Sequence, residues 1–536
     1  MLNEDSVKRS DLIDFLLKPS AYPHNPDKVI HIQTHASDVF VVPPYVYKVK
    51  KPVDFGFLDF STLEKRKLFC EKEIELNRRL CGETYIGVEE IKFKDGAFAF
   101  SGEGETVEYA VKMNKLPEEK FLINILGRGE ATEENFTRLA RKLRDFYSGQ
   151  TTGTEVLDYG APERIKVNID EVLSISRTFT DTTLSPAQYN AISFYNGQFF
   201  ANKTGLLLKR KDENYIKDCH GDLHLEHINF APPEICIYDC IEFNERFRYI
   251  DIASDIAFLA MDLDYNGYYG FSGFFVSEIQ KEMDDNTMGE VIDFYKCYRA
   301  CVRGEVESIR GTEKEVPEEG KRLALSRAEK YFKLALRYAL FGSPPVVIVT
   351  FGIIGTGKST LAGKLGEELG ANVISSDYIR KEITGMAAQE KKYEGYDKGI
   401  YSPDMTERTY RELLARGGEE IKKHNIVILD ASFSKLKWRE LLARDAWLER
   451  YEVYYFRTDA PEAVIRERLI KRELEGASVS DARVEIMDRF MREFEEPEEL
   501  RDKSYFTVNT VGDEGGIIDS LFREIISRQF STEAGE

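Results

Sequence analysis

The sequence predicts an α+β region of two bodies followed by an α/β domain on a parallel sheet, and three observations lead there. Over residues 30–115, short alternating segments are separated by Gly and Pro turns and interrupted by one charged helix. From about 117 to 340 helical patterning dominates, broken by a loop with short strands at 217–250. After Phe341-Gly342-Ser343-Pro344-Pro345, apolar strands at 346–351, 372–376, 425–430 and 451–456 alternate with helices, the pattern of a parallel sheet covered on both faces. The expected divisions are a β-rich body at 1–115, a helical body at 116–340 and the α/β domain at 341–536. At about 150 residues per domain, 536 residues suit three or four such bodies.

In chain order, Asp38–Val42 and Tyr45–Lys50 form a hairpin around the Pro43-Pro44 turn. A charged helix is expected over 62–80, then strands within 88–113 turning at Gly96 and Gly102. The composition sets limits on function. With 74 Lys and Arg against 94 Asp and Glu, the net charge of −20 excludes a general coat for nucleic acid or an anionic membrane. The start is polar, without the apolar core of a secretory signal, and no apolar run approaches the roughly 18 residues of a membrane span, so a soluble chain is expected. Seven cysteines, an odd count, imply no disulfide framework; Cys236/Cys240 and Cys297/Cys301 read as buried free thiols, which suits a reducing cytoplasm.

The most specific motif is Gly352-Ile353-Ile354-Gly355-Thr356-Gly357-Lys358-Ser359, a gapless GxxxxGK[ST] between an apolar strand and a helix. Gly352, Gly355 and Gly357 let backbone N–H groups curl around a phosphate at a helix N-terminus. Lys358 would reach the β/γ-phosphates, Ser359 would ligate Mg2+, and Thr360 would complete the nucleotide contact. The next strand ends at Ser375-Ser376-Asp377, where a carboxylate can accept a hydroxyl proton or hold Mg2+, or simply cap the following helix. Arg380, one turn on, can hold an anionic group of the acceptor. Asp430 ends a third strand, a place for a Mg2+ carboxylate. A later helix carries Arg466, Arg468 and Arg472, of which Arg468 and Arg472 are candidates to close over the phosphates. This third of the chain, about 345–510, resembles the small-molecule P-loop kinases, with gluconate and shikimate kinases, zeta-type toxins and polynucleotide 5′-kinases as the similar groups. The resemblance implies phosphoryl transfer and leaves the acceptor open.

A second set of residues lies upstream. His220-Gly221-Asp222-Leu223-His224 occupies a polar loop, and Ile235–Asp239 is a short strand ending in acid. Asp222 would orient or deprotonate an acceptor hydroxyl, and Asp239 would hold Mg2+ on a nucleotide. His220 and His224 read as braces of the loop, and zinc on His220, His224 and His227 as a minor alternative. On the expected helix, Glu73 interrupts the apolar stripe of Phe69, Leu76 and Leu80. A carboxylate facing the core needs a cation, and Lys48, with Lys50 second, lies on one face of the strand Tyr45–Lys50. These residues, over roughly 30–340, resemble the aminoglycoside phosphotransferases, protein-kinase-like enzymes with HGDxHxxN followed by an acidic strand end. The resemblance implies a two-lobed fold, a Lys48–Glu73 grip on the α/β-phosphates, and adenine against the backbone near Met113 and Asn114. It also places Gln33–Ser37 over the phosphates, since no glycine-rich GxGxxG is present. One departure stands out: His227 occupies the family's Asn position, a nitrogen where the second Mg2+ normally finds a carbonyl oxygen. Arg299 and Arg303, four apart on one helix beside Tyr295, are candidates for an anionic substrate or for a solvated face.

The sequence therefore reads as a bifunctional kinase with two ATP·Mg2+ sites and small polar acceptors, sugars or nucleoside-like molecules. Two rivals accompany it. His227 motivates a regulatory first module that binds ligand without turnover, and the P-loop layout allows a nucleic-acid end kinase, against which the charge of −20 argues.

Overall fold

The computed structural model describes residues 8–150, 152–387, 399–445, 447–475 and 484–531. Two units are distinguished by their internal contacts: the chain up to Ile165 with Gly205–Ile292, and Lys166–Thr204 with the chain from Asp293 onward. The first is α+β and the second contains an α/β P-loop domain, as the sequence predicts.

The first unit carries a six-stranded antiparallel sheet made of β1 (Ile30–Gln33), β2 (Ser37–Val42), β3 (Tyr45–Lys50), β4 (Tyr85–Lys94), β5 (Ala97–Ala99) and β6 (Glu105–Asn114). Its order is β1-β2-β3-β6-β4-β5. Strand alternation divides β3 between two cores. Tyr47 and Val49 join Leu12, Leu16 and Phe40 under one face, while Val46 packs with Val111, Met113 and Ile74 on the other. The helix Leu63–Asn77 lies on that second face; it starts where Thr62 Oγ1 accepts from Lys65 N and is shorter at its C-terminal end than the expected 62–80. The helix Arg9–Leu16 was not anticipated, because its polar flanks hide an eight-residue element whose Leu12 and Leu16 are buried.

The rest of this unit is helical around four short strands: β7 (Ile216–Asp218), β8 (Ile228–Asn229), β9 (Cys236–Ile237) and β10 (Tyr249–Asp251). β7 pairs with β10 and β8 with β9, both antiparallel. One expectation is corrected here. Cys236 is not a free thiol: it is disulfide-bonded to Cys81, with Cα atoms 4.6 Å apart at a sequence separation of 155. Both sit in the apolar cluster of Val111 and Met113, a proximity that cysteine spacing does not reveal. The remaining five cysteines are free and buried.

In the second unit, β11 (Val346–Phe351), β12 (Val373–Ser375), β13 (Ile426–Asp430), β14 (Glu452–Asp459) and β15 (Tyr505–Asn509) form a parallel sheet ordered β12-β13-β11-β14-β15. β11 is buried at every residue, which is why it reads as an unbroken apolar run. Val347, Val349, Leu413, Val427 and Leu429 form the main core beneath it. β15 was missed from sequence; as an edge strand it buries only Phe506 and Val508 and lacks the apolar run of its neighbours. Among the described residues, no helix is long and apolar enough to cross a membrane.

Candidate active sites

In the first unit the alternation of β3 aims Lys48 and Lys50 at the helix Leu63–Asn77, where Glu73 is fully buried. Glu73 Oε1 is 3.0 Å from Lys48 Nζ and its Oε2 is 2.6 Å from Lys50 Nζ. Lys48 also donates to Asp239 Oδ1 at 2.5 Å, and Lys50 to Glu242, a partner that nothing in the local sequence announces. Burial alone would discharge these groups. Burial pulls the Lys48 ammonium down, but Asp239 and Glu73 outweigh it and raise its pKa well above the ordinary value. Against the upward push of burial, Lys48 and Lys50 hold Glu73 below the usual carboxylate range, and Lys48 and His227 do the same for Asp239. Glu242, pushed up by burial, is the member of the group closest to protonation. Replacing Glu73 with Gln leaves two buried ammonium groups short of a countercharge. The first urea transition is expected to lose about 3–5 kcal/mol, measured by denaturant titration of the full chain.

Asp222 follows β7 in the loop His220–His227. His220 N and Gly221 N donate to Asp255 Oδ2 and Oδ1 at 3.0 and 2.9 Å, and Tyr147 donates to the same carboxylate at 2.8 Å. Asp255, on the helix Ile252–Tyr265, thus fixes the loop from below. The His220 ring bonds Tyr238 O at 3.0 Å and is held toward its neutral form by burial, which supports its reading as a brace. Asp222 Oδ2 lies 3.6 Å from His224 Nε2 and 3.5 Å from His227 Nδ1, and Asp239 Oδ2 is 3.6 Å from His227 Nε2. The loop therefore brings Asp222, His224, His227 and Asp239 into one group. His227 itself has its pKa lowered to about 4, by burial first and then by the neighbouring His224.

Gly221 makes this turn possible. Its φ is +86°, and a Cβ there would stand 2.7 Å from Phe247 O and 3.2 Å from Ile241 Cδ1. We expect Gly221→Ala to cost about 2 kcal/mol or more and to displace Asp222. Urea unfolding and nucleotide titration of the full chain check this, the second unit's nucleotide affinity remaining unchanged.

Asn229, two residues beyond His227, is fully buried in structural bonds. Its Nδ2 donates to Pro117 O at 2.9 Å and its Oδ1 accepts from Ala231 N at 3.0 Å. Met113 pairs with Val46 and Tyr85 across the sheet, and Asn114 N donates to Thr84 O at 2.8 Å. The segment after Gln33 is a tight turn between β1 and β2, closed by Thr34 and Ser37.

In the second unit the loop after β11 bends through Gly352, Gly355 and Gly357 at φ of +141°, +78° and +95°. A Cβ on Gly352 would meet Thr458 O at 2.7 Å, so the glycine is required by space as well as by backbone angle. Lys358 opens the helix Lys358–Leu369 and donates to Ile353 O, a carbonyl of the loop itself, at 2.9 Å. Burial lowers its pKa, while Asp430 and Asp377 oppose the shift. Ser359 donates to Asp430 Oδ2 at 2.7 Å and Thr350 to Asp430 Oδ1 at 3.3 Å; burial raises the Asp430 pKa. Gly357, Thr360, Arg468, Arg472 and Thr510 line a cavity of about 310 Å³. Arg468 is anchored there by bonds of 2.9 and 2.6 Å to the hydroxyl and carbonyl of Thr510.

The family model described as "AAA domain" matches residues 347–497. An adenylate kinase of Phocaeicola vulgatus is 31% identical over 147 residues, 27% of this chain and 76% of that enzyme. The chain belongs to the P-loop kinases. This kinase is also 28% identical over 467 residues to an uncharacterized protein of Mycobacterium tuberculosis, covering 87% of this chain and 90% of the relative, a length that neither unit supplies alone. Among solved structures, a choline kinase from Cryptosporidium parvum aligns at TM-score 0.37 and 13% identity over 60% of this chain and 95% of its own. A sugar kinase from Janibacter aligns at TM-score 0.26 and 18% identity over 35% and 98%.

The remaining candidates are placed as follows. Asp377 lies in the first turn of the helix Ser376–Ile383, two residues beyond the N-cap position Ser375, whose side chain makes no capping bond. Arg380 is buried, donates to Ile400 O at 2.8 Å and Thr406 Oγ1 at 3.1 Å, and stacks on Tyr401. Arg466 is half-exposed and meets Glu462 and Asp488 rather than lining the cavity with Arg468 and Arg472. Arg299 and Arg303 sit on the helix Met288–Arg310, in the stretch grouped with the second unit. Arg299 is buried against Tyr298, and Arg303 lies 3.8 Å from Glu307 and faces Tyr331. The donor sets differ between the two sites. Ser359 and Asp430 are oxygen donors suited to Mg2+, whereas His227 beside Asp239 supplies a nitrogen, which Mg2+ does not favour.

Proposed function

We propose that this kinase carries two phosphoryl-transfer sites, each moving the γ-phosphoryl of ATP to a hydroxyl of a small polar acceptor such as a sugar or nucleoside-like metabolite. The observation that carries the reading is the convergence of Lys48, Glu73, Asp239 and Asp222 in a unit that has no P-loop. There Lys48, held by Glu73, grips the nucleotide phosphates, Asp239 serves the metal, and Asp222 orients the acceptor hydroxyl and takes its proton. Met113 and its apolar neighbours offer the adenine a surface. At the second site the loop glycines and Lys358 cradle the phosphates, with Ser359 and Asp430 as oxygen donors for Mg2+. Arg468 and Arg472 close the cavity. Asp377 is the acceptor base and Arg380, a buried guanidinium, meets an anionic acceptor group.

The test is ATP consumption against an acceptor panel, with wild type, Asp222→Asn and Lys358→Ala as full-length proteins. Two phosphorylations, each lost in a different variant, support the reading. If Asp222→Asn loses none, the first unit is a ligand-binding module and the chain has one catalytic site.

A further inference from the structure

The two oxygens of Asp239 have different surroundings. Oδ1 accepts from Lys48 at 2.5 Å, while Oδ2 faces His227 Nε2 at 3.6 Å, beyond hydrogen-bond distance. The other nitrogen of that ring, Nδ1, stands 3.0 Å from the main-chain carbonyl of Asp222. A carbonyl can only accept, so Nδ1 carries the ring proton and Nε2 presents a lone pair. Nε2 and Oδ2 are thus a nitrogen and an oxygen, 3.6 Å apart, that can both donate to a cation.

The spacing suits one. Two ligand atoms, each about 2.1 Å from one ion and at a near-tetrahedral angle, stand roughly 3.4 Å apart. The carbonyl that fixes the His227 tautomer is the outer-shell partner that metal-binding histidines ordinarily have. An imidazole with a carboxylate selects first-row transition metals over Mg2+.

We infer that the first unit binds a transition-metal dication of the Mn2+ or Zn2+ class through His227 Nε2 and Asp239 Oδ2, in preference to Mg2+. One chain thereby holds two metal specificities, since Ser359 and Asp430 offer only oxygen. The inference rests on the two-site reading above and adds the identity of the ion.

The probe is Mn2+ with the β,γ-methylene analogue of ATP, bound to full-length protein carrying Asp430→Asn and Lys358→Ala to weaken the second site. Pulsed electron paramagnetic resonance should show one Mn2+ coupled to a 14N nucleus, the coupling changing to that of 15N when the histidines are 15N-labelled. His224→Gln should retain the coupling and His227→Asn should lose it, with the Mn2+-to-Mg2+ affinity ratio falling by roughly tenfold or more. The isotope arm needs no substitution at His227, so it stands even if His227→Asn fails to fold. Bound nucleotide with Mn2+ that shows no histidine coupling overturns the metal inference alone. Failure of this variant to bind the nucleotide at all overturns the two-site reading.

Discussion

Lys358→Ala is expected to abolish phosphoryl transfer at the second site while leaving the fold intact. In the structure the ammonium bonds Ile353 O, so the substitution leaves the carbonyl of one half-buried residue without its donor, a small loss for the fold. The nucleotide loses more. A charge-assisted bond to a phosphate is worth about 1.5–3 kcal/mol, which predicts a fall in affinity of roughly 10- to 150-fold. The effect on rate is larger, because negative charge shifts between the β- and γ-phosphates as the bond breaks. Removing one preorganised donor at such a point costs about 10²–10³ in kcat. Isothermal titration with nucleotide and steady-state kinetics separate the two terms. Any phosphorylation that depends on Asp222 should persist at its wild-type rate.

The residues legible from sequence were those whose chemistry is carried by neighbours in the chain. The loop Gly352–Ser359 needs only a strand before it and a helix after it, and local patterning supplies both. Glu73 was legible for a related reason: a carboxylate inside an apolar helical stripe demands a cation, and β3 provides Lys48 and Lys50 on the facing side. What could not be read depends on contacts distant in sequence. Asp255 holds the loop of Asp222 from 33 residues away, yet its helix is so apolar that the residue looks like any buried polar group. Thr510 anchors Arg468 from beyond an edge strand without a strong pattern. Glu242 and the Cys81–Cys236 bond depend on how the loop and β9 approach the sheet. The helical stretch 166–204 groups with the second unit for the same kind of reason, since clustering depends on packing that periodicity does not encode.

Asp222→Asn should separate chemistry from binding at the first site. Asn keeps the shape of the side chain, and the backbone contact of residue 222 with His220 Nδ1, at 3.3 Å, does not involve the carboxylate. The Asp222 side chain is about one-third exposed, and Asp255 and Asp262 hold the loop through His220 N, Gly221 N and Leu225 N. Unfolding free energy should therefore stay within about 0.5 kcal/mol of wild type. Nucleotide affinity should also hold, because Lys48, Glu73 and Asp239 are untouched. What is lost is the anionic oxygen that accepts the hydroxyl proton as the new P–O bond forms. An amide oxygen is too weak a base to replace it, so kcat for the first phosphorylation should fall by about 10²–10⁴ with KM changed only a few-fold. A variant that instead raises KM at constant kcat would make Asp222 a binding group only. The proton would then leave by another route, and the catalytic role proposed for this loop would fail.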